Sequence, residues 1–266
     1  MTTLDETLAD RTWTADHEPL VLRHQEHVMG TVVSFDVRRG TIPAPEARRA
    51  LRRACVLLAR VDAVFSLWKP DSPMSRIRRG DIAAADAPAE VGEVLERCAE
   101  ARTLTGGWFD PWSMPGGLDP TGLVKGWVAS RALAVLVDAG VAGAMVNAGG
   151  DVATAGEPTP GEPWRIGVTN PDDRTLLLCA VTSPGAVATS GTYERGAHIF
   201  NPFTGLPRTR CRSATVVGTD LTLADAMATG LCAAGMEGIP HVVAAGYGAI
   251  VVDHAGAAHV VGNVAV

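Results

Sequence analysis

Two kinds of hydrophobic periodicity divide this chain, and their order limits the fold more than any single motif. Before about residue 140 the apolar positions mostly recur at helical spacing. Leu51, Cys55, Leu58 and Val61 mark one face of a helix expected over residues 45–65, and Val91, Val94, Leu95 and Cys98 mark another over residues 91–104. A third helix is expected to open near Gly122–Lys125 and run to about Ala139. One early strand interrupts this pattern: Val33, Phe35 and Val37 alternate within Thr31–Val37. The second half reads mainly as strands, over residues 144–147, 164–168, 176–182, 213–217, 249–252 and 259–261. A helix from about Leu223 to Ala234 breaks that series, and a short one is expected near residues 240–245. Helices early and strands late predict an α+β fold rather than a doubly wound parallel sheet. Residues 1–20 are acidic and polar and read as a loose arm, and with no repeat or linker in sight residues 21–266 read as one two-lobed domain.

Charge and composition then exclude several function classes. The formal net charge is −6 and no basic block occurs, so a nucleic-acid partner is not expected. An anionic ligand would need help from a metal or from backbone N–H groups. Five scattered cysteines, with no CxxC pair, read as small buried hydrophobes and predict neither a disulfide framework nor a zinc site. No apolar run reaches the ~18–20 residues of a membrane span, and the N-terminus lacks a signal-like apolar region. No membrane insertion and a cytoplasmic location are the expectation.

Four segments carry residues suited to chemistry. In LTLADAMATGL, residues 221–231, Asp225 and Thr229 are four apart and share a helical face. A carboxylate and a hydroxyl are the oxygen ligands that a hard ion such as Mg²⁺ prefers, although an acid near a helix start and a back-bonded threonine would look the same. In LDPTGLVKGWVASRAL, residues 118–133, Gly122 and Gly126 flank Lys125 near a helix start, where backbone N–H groups and an ammonium can meet a phosphate. The P-loop spacing is absent, and a surface lysine beside packing glycines is the plainer alternative. In MVNAGGDVATAG, residues 145–156, a strand runs into Asn147, Gly149, Gly150 and Asp151, which is either a turn or a place where a ligand lies on the backbone. In residues 187–207, hydroxyls and glycines accompany Tyr193, His198 and Asn201; His198 can act as a base or bond a phosphate. The other six histidines, His24 among them, read as structural or solvated.

These segments, with HVMGTVVSF at 27–35, FSLWKPDSPMSRI at 65–77, GGWFDP at 106–111, PWRIGV at 163–168, ATSGTYER at 188–195, HIFNPFTGLP at 198–207 and ADAMAT at 224–229, resemble the FAD:protein FMN transferases, or ApbE-like family. They occur in the family's order over roughly residues 27–235. The resemblance implies Mg²⁺, FAD bound in a cleft between lobes, transfer of FMN through a phosphoester to a Ser or Thr of an acceptor flavoprotein, and release of AMP. It implies Asp225, Thr229 and the Val124 carbonyl as metal ligands and His198 as the candidate catalytic base; if His198 only binds the phosphate, Asp151 and Asp119 are the next candidates. It also implies that Met29, Gly30, Thr31, Ser66, Asp119, Lys125, Gly149, Gly150, Asp151, Thr189, Ser190 and Gly191 line the FAD site. Trp68 and Tyr193 are candidates to stack on the flavin ring, with core packing the other reading of Trp68. An FAD pyrophosphatase and a flavin-binding protein without turnover are the rival functions.

The chain departs from the family's pattern at several points. Pro73 stands where an acidic residue is usual, Arg78 where an Asn near the ligand is usual, and Pro120 and Thr121 where a glycine and its neighbour are usual.

Overall fold

The first hairpin sets the frame: β1 (Val21–Val28) returns as β2 (Thr31–Arg38) through the two residues Met29 and Gly30. Both have positive φ, 54° and 67°, as a type I′ turn between right-twisted strands requires. The computed structural model describes residues 20–191, 199–207 and 209–266. After the hairpin come α1 (Ala44–Phe65), α2 (Pro73–Arg79), α3 (Ala89–Leu104) and α4 (Thr121–Asp138). The next strands are β3 (Gly143–Ala148), β4 (Asp151–Gly156), β5 (Arg165–Thr169), β6 (Leu177–Thr182) and β7 (Ala186–Gly191). A short pair, β8 (Phe200–Asn201) and β9 (Leu206–Pro207), precedes β10 (Ser213–Gly218). The chain closes with α5 (Leu221–Ala234), α6 (Ile239–Ala244), β11 (Gly248–Val252) and β12 (Ala258–Val261).

Eight of these strands form one antiparallel sheet in the order β1-β2-β3-β4-β7-β10-β11-β12. The β2–β3 pairing, Val33 opposite Ala148 through Arg38 opposite Gly143, closes over the whole helical segment between them. Side chains alternate between the two faces of the sheet. Val33, Phe35, Val146, Ala188, Val216 and Val251 share the large core with the helices. Val152, Val187, Val217 and Ile250 belong to a smaller core completed by Ile166, Val168 and Val181 of the β5–β6 hairpin. Burying each Val, Leu or Phe contributes ~1.5–3 kcal/mol, so the continuous helical face of α1, with Leu51, Leu58, Val61 and Phe65 inside, is a major stabilising contact.

At the centre lies α5, capped by the Asp220 carboxylate, which accepts from the Thr222 amide at 2.8 Å. Every residue of this helix except Thr229 is buried. It crosses α4 at Gly126, where a Cβ would lie 2.4 Å from the Leu221 carbonyl oxygen. Gly126 is therefore a packing glycine that brings two helix backbones together, rather than an opening for a phosphate.

The α+β class is as expected, and the predicted helices and late strands are present within a few residues. Six elements have no counterpart in the sequence reading, among them the two-residue strands β8 and β9, which are too short to show a periodicity. β1 is an edge strand with only Leu22 buried, so its apolar alternation is too weak to see. α2 is a seven-residue helix, capped by Ser72 accepting from the Ser75 amide at 3.0 Å and opened by Pro73, which suits a first helical position. β4 and β7 are built largely from Ala, Thr, Ser and Gly, residues mostly without β preference, and are strands because both faces of the sheet are covered there. Among the described residues, no helix is long and apolar enough to cross a membrane.

Candidate functional site

A cleft of about 800 Å³ opens where the β1–β2 turn, the end of α1, the loop after α3, the start of α4, β7 and α5 converge. Its floor is polar. Asp225 projects from the first half of α5, and its Oδ2 accepts the Gly126 amide at 2.9 Å, so the close helix crossing also fixes the carboxylate. Lys125 pairs with Asp151 at the head of β4, and its Nζ is 4.0 Å from Asp225 Oδ1. Asp151 also accepts the Thr189 amide at 3.1 Å. That bond lies just beyond the short β4–β7 ladder, which ends at Val152 opposite Val187, so the side chain continues the pairing where the backbone stops. Asp151 and Asp225 are both buried, which is costly for carboxylates outside a built polar site.

Thr229, one turn after Asp225, lies 3.2 Å from Ser190 Oγ across the α5–β7 contact. Gly122 of α4 faces the same threonine: a Cβ there would meet Thr229 Oγ1 at 3.5 Å. Val124, Asp225, Thr229, Lys125, Thr189 and Ser190 all line the cleft. The predicted metal ligands thus all line this one cleft. Their donors are two side-chain oxygens and a carbonyl that keeps a second lone pair when it accepts a helix bond, which fits a hard divalent ion.

The rim is apolar and aromatic. Trp68, Trp108 and Phe200 are its exposed or half-buried aromatics, while Phe65 and Phe109, which also line the cleft, are buried. Trp68 is 94% exposed, so it belongs to the rim and not to the core. Trp108 is braced edge-on by Phe203 at 4.8 Å between centroids, with Arg210 over its ring at 5.2 Å. The rim aromatics other than Trp68 escaped the sequence reading, although Trp108 and Phe109 lie within the GGWFDP motif. Met29, at the rim, is the one non-glycine with positive φ among the described residues. Such a turn residue costs ~1–2 kcal/mol relative to glycine, the kind of strain that gathers at ligand sites.

The other sequence candidates divide. Gly30, Ser66 and Asp119 line the same cleft. Gly149 and Gly150 form the β3–β4 turn and line a neighbouring cavity of about 360 Å³, which shares Thr189 with the lining of the main cleft. Thr31 lies behind that turn, against Gly149, and Gly191 is buried in the ladder opposite Ser213. His198 and Tyr193 fall outside the described residues; of the two residues that flank that stretch, Ile199 lines the cleft and Gly191 does not.

The Arg78 departure has a structural explanation. Its Nε donates to the Gly116 carbonyl at 2.8 Å, its Nη2 donates to the Pro115 carbonyl, and Nη1 is 3.5 Å from Asp119. It ties the loop before α4 to the end of α2. Asp119 in turn accepts from the Thr121 amide at 3.0 Å and hydroxyl at 2.6 Å, opening α4. On the same loop, burial works to raise the Asp110 carboxyl, but hydrogen bonds from Arg102, Ser113 and the Trp112 amide outweigh it and hold the group below its ordinary range.

Comparison with known proteins bears on the family and the fold. The model of the ApbE family matches residues 29–116 and 112–251. A Rhodobacter capsulatus protein named FAD:protein FMN transferase is 35% identical over 136 residues, 48% of this chain and 26% of that protein. A Vibrio cholerae protein of the same name is 34% identical over 131 residues, 45% of this chain and 39% of that protein. The chain therefore matches well under half the length of these curated relatives. The solved structure of flavin transferase ApbE from Vibrio cholerae superposes with a TM-score of 0.77 at 21% identity, covering 90% of this chain and 96% of that one.

Proposed function

Since the chain belongs to the ApbE family, we propose that it is a Mg²⁺-dependent FAD:protein FMN transferase. In this reading FAD lies in the 800 Å³ cleft with its flavin against the aromatic rim and its pyrophosphate over the polar floor. The hydroxyl oxygen of an acceptor Ser or Thr attacks the phosphorus of the FMN half. A new P–O bond forms, the bridging P–O bond breaks, and the bridging oxygen leaves with AMP. The hydroxyl proton passes to His198, with Asp151 and Asp119 the alternative acceptors.

Asp225, Thr229 and the Val124 carbonyl would hold Mg²⁺, which when bound offsets charge on the phosphate oxygens. Lys125 adds a second positive charge beside Asp225, and the first-turn amides of α4 favour an anion. Gly126 lets α4 and α5 approach closely enough to aim Asp225 at this floor. Ser190 positions the Thr229 hydroxyl. A cytoplasmic setting goes with this proposal.

One observation carries the reading: a buried carboxylate and a hydroxyl one helical turn apart share the floor of an aromatic-rimmed cleft with a lysine. The test is to co-express the chain with an acceptor flavoprotein, supply FAD and Mg²⁺, and weigh the acceptor. A mass gain equal to FMN is expected, together with AMP. Free FMN and AMP with an unmodified acceptor would instead make the protein an FAD pyrophosphatase.

A further inference from the structure

A second cluster of ligating groups lies away from the cleft, between the edge strand β1 and helix α1. Residues 22, 24, 26 and 28 of β1 face the helix side, while 23, 25 and 27 are exposed. On that inner face stand His24 and Glu26, two polar side chains where apolar ones would be expected. Their cross-strand neighbours are core residues: His24 is opposite Phe35 and Glu26 is opposite Val33. Cys55 of α1, buried among Leu51, Ala54 and Leu58, approaches them from the helix. His24 Nε2 is 3.1 Å from Glu26 Oε2, and an imidazole nitrogen, a carboxylate oxygen and the Cys55 sulfur all lie within 4.8 Å of one another.

Donors gathered within that distance can close onto a single ion with small side-chain adjustments. Metal bonds of ~2.0–2.3 Å to N, O and S in a tetrahedron put ligand atoms roughly 3.3–3.8 Å apart. The donor set is also selective. A sulfur and an imidazole favour a borderline-soft ion over the hard Mg²⁺ that an all-oxygen site takes. His24 and Glu26 keep side-chain exposures of 20% and 23%, which leaves a solvent side for a fourth ligand.

We propose that His24, Glu26 and Cys55 form a binding site for a borderline-soft divalent cation of the zinc class, clamping the edge strand β1 to helix α1. The metal replaces the thiol proton, which passes to solvent, and water completes the coordination. The sequence predicts no zinc site because it offers no short-range cysteine pair; these ligands come from a strand and a helix about thirty residues apart and converge only in the fold.

The probe is Co²⁺, followed by displacement with Zn²⁺. All five cysteines lie among the described residues and none is disulfide-bonded. A thiolate-to-cobalt charge-transfer band therefore reports on a cysteine site, and the oxygen ligands around Asp225 cannot produce one. The expected result is a band that saturates at one equivalent and is bleached by Zn²⁺. Cys55→Ala should abolish it. His24→Gln, at a half-buried position that should leave the fold intact, should weaken Co²⁺ binding by ~100-fold or more, since even the groups that merely orient a ligand are worth ~10–100-fold. Zn²⁺ should also raise the unfolding temperature of the wild-type chain, and the His24→Gln chain should need ~100-fold more Zn²⁺ for the same rise. Absence of the band in the wild type, or its persistence in Cys55→Ala, overturns the proposal. The outcome does not depend on flavin transfer, so either reading can fail alone.

Discussion

Gly126→Ala sets two known effects against each other. Alanine is the better helix former by ~1 kcal/mol, so in an open helix the change would stabilise. Here the new Cβ would lie 2.4 Å from the Leu221 carbonyl oxygen and 2.8 Å from the Asp225 Cβ. Both belong to α5, a helix buried on nearly every side, so neither can rotate away. Relief requires α4 and α5 to separate by something near 1 Å. Overpacking of this kind costs ~1–3 kcal/mol, and an obstacle in backbone belongs at the upper end. The expected net loss is ~2 kcal/mol, which at ~3 kcal/mol/M in urea lowers the unfolding midpoint by ~0.7 M. The same displacement stretches the bond from the Gly126 amide to Asp225 and moves the carboxylate relative to Val124, and misplacement by ~1 Å can cost ~10²-fold in turnover. Urea unfolding and a transfer assay at saturating FAD and Mg²⁺ read the two effects separately. A midpoint at or above that of the wild type, with activity retained, would refute the tight crossing and its part in aiming Asp225.

Three further outcomes are expected. Asp225→Asn keeps an oxygen to accept from the Gly126 amide but removes the charge, so stability should hold while Mg²⁺-dependent transfer falls by ~10²–10³-fold; unchanged turnover across a magnesium titration would remove Asp225 from the site. His198→Ala should slow transfer by ~10²–10⁴-fold with a much smaller change in FAD affinity, and a collapse of affinity with the rate at saturation intact would make His198 a binding residue. Asp110, depressed in the fold from an unfolded value near ~3.9, contributes stability that is full above that pH and lost as pH falls through the folded value; Asp110→Asn should therefore flatten the acid limb of a tryptophan-monitored unfolding profile below about pH 4, and an identical limb would show that the Arg102 and Ser113 bonds carry no linkage.

Local signals made much of this molecule legible. The helical spacing of Leu51, Cys55, Leu58 and Val61 is a property of the chain itself, and α1 follows it. Asp225 and Thr229 were visible as a pair because one helix carries both, but their link to Lys125 and Ser190 depends on how α4, β7 and α5 meet. Gly126 looked like a phosphate opening because sequence cannot show what faces a glycine. β7 was hidden by its small, hydroxyl-rich residues, whose strand conformation comes from β10 on one side and β4 on the other. Arg78 stood out as a departure, and only the fold reveals the two carbonyls that it holds.

The sheet's wiring also bears on how the chain is made. The β1–β2 hairpin is complete early, yet its inner neighbour β3 begins at Gly143, on the order of a hundred residues later. At ~5–20 residues per second a ribosome needs on the order of ten seconds to deliver that partner. Through that interval β2 has an unpaired edge, and its row of Val33, Phe35 and Val37 is covered only as the helices that share its core emerge. A nascent chain in this state is a target for strand addition by its neighbours on the same polysome. Closing so long a loop also places β2–β3 docking among the late, slow steps of folding. Yield during rapid expression should therefore depend on holdase supply and on translation speed between α1 and β3 more than on the stability of the finished protein.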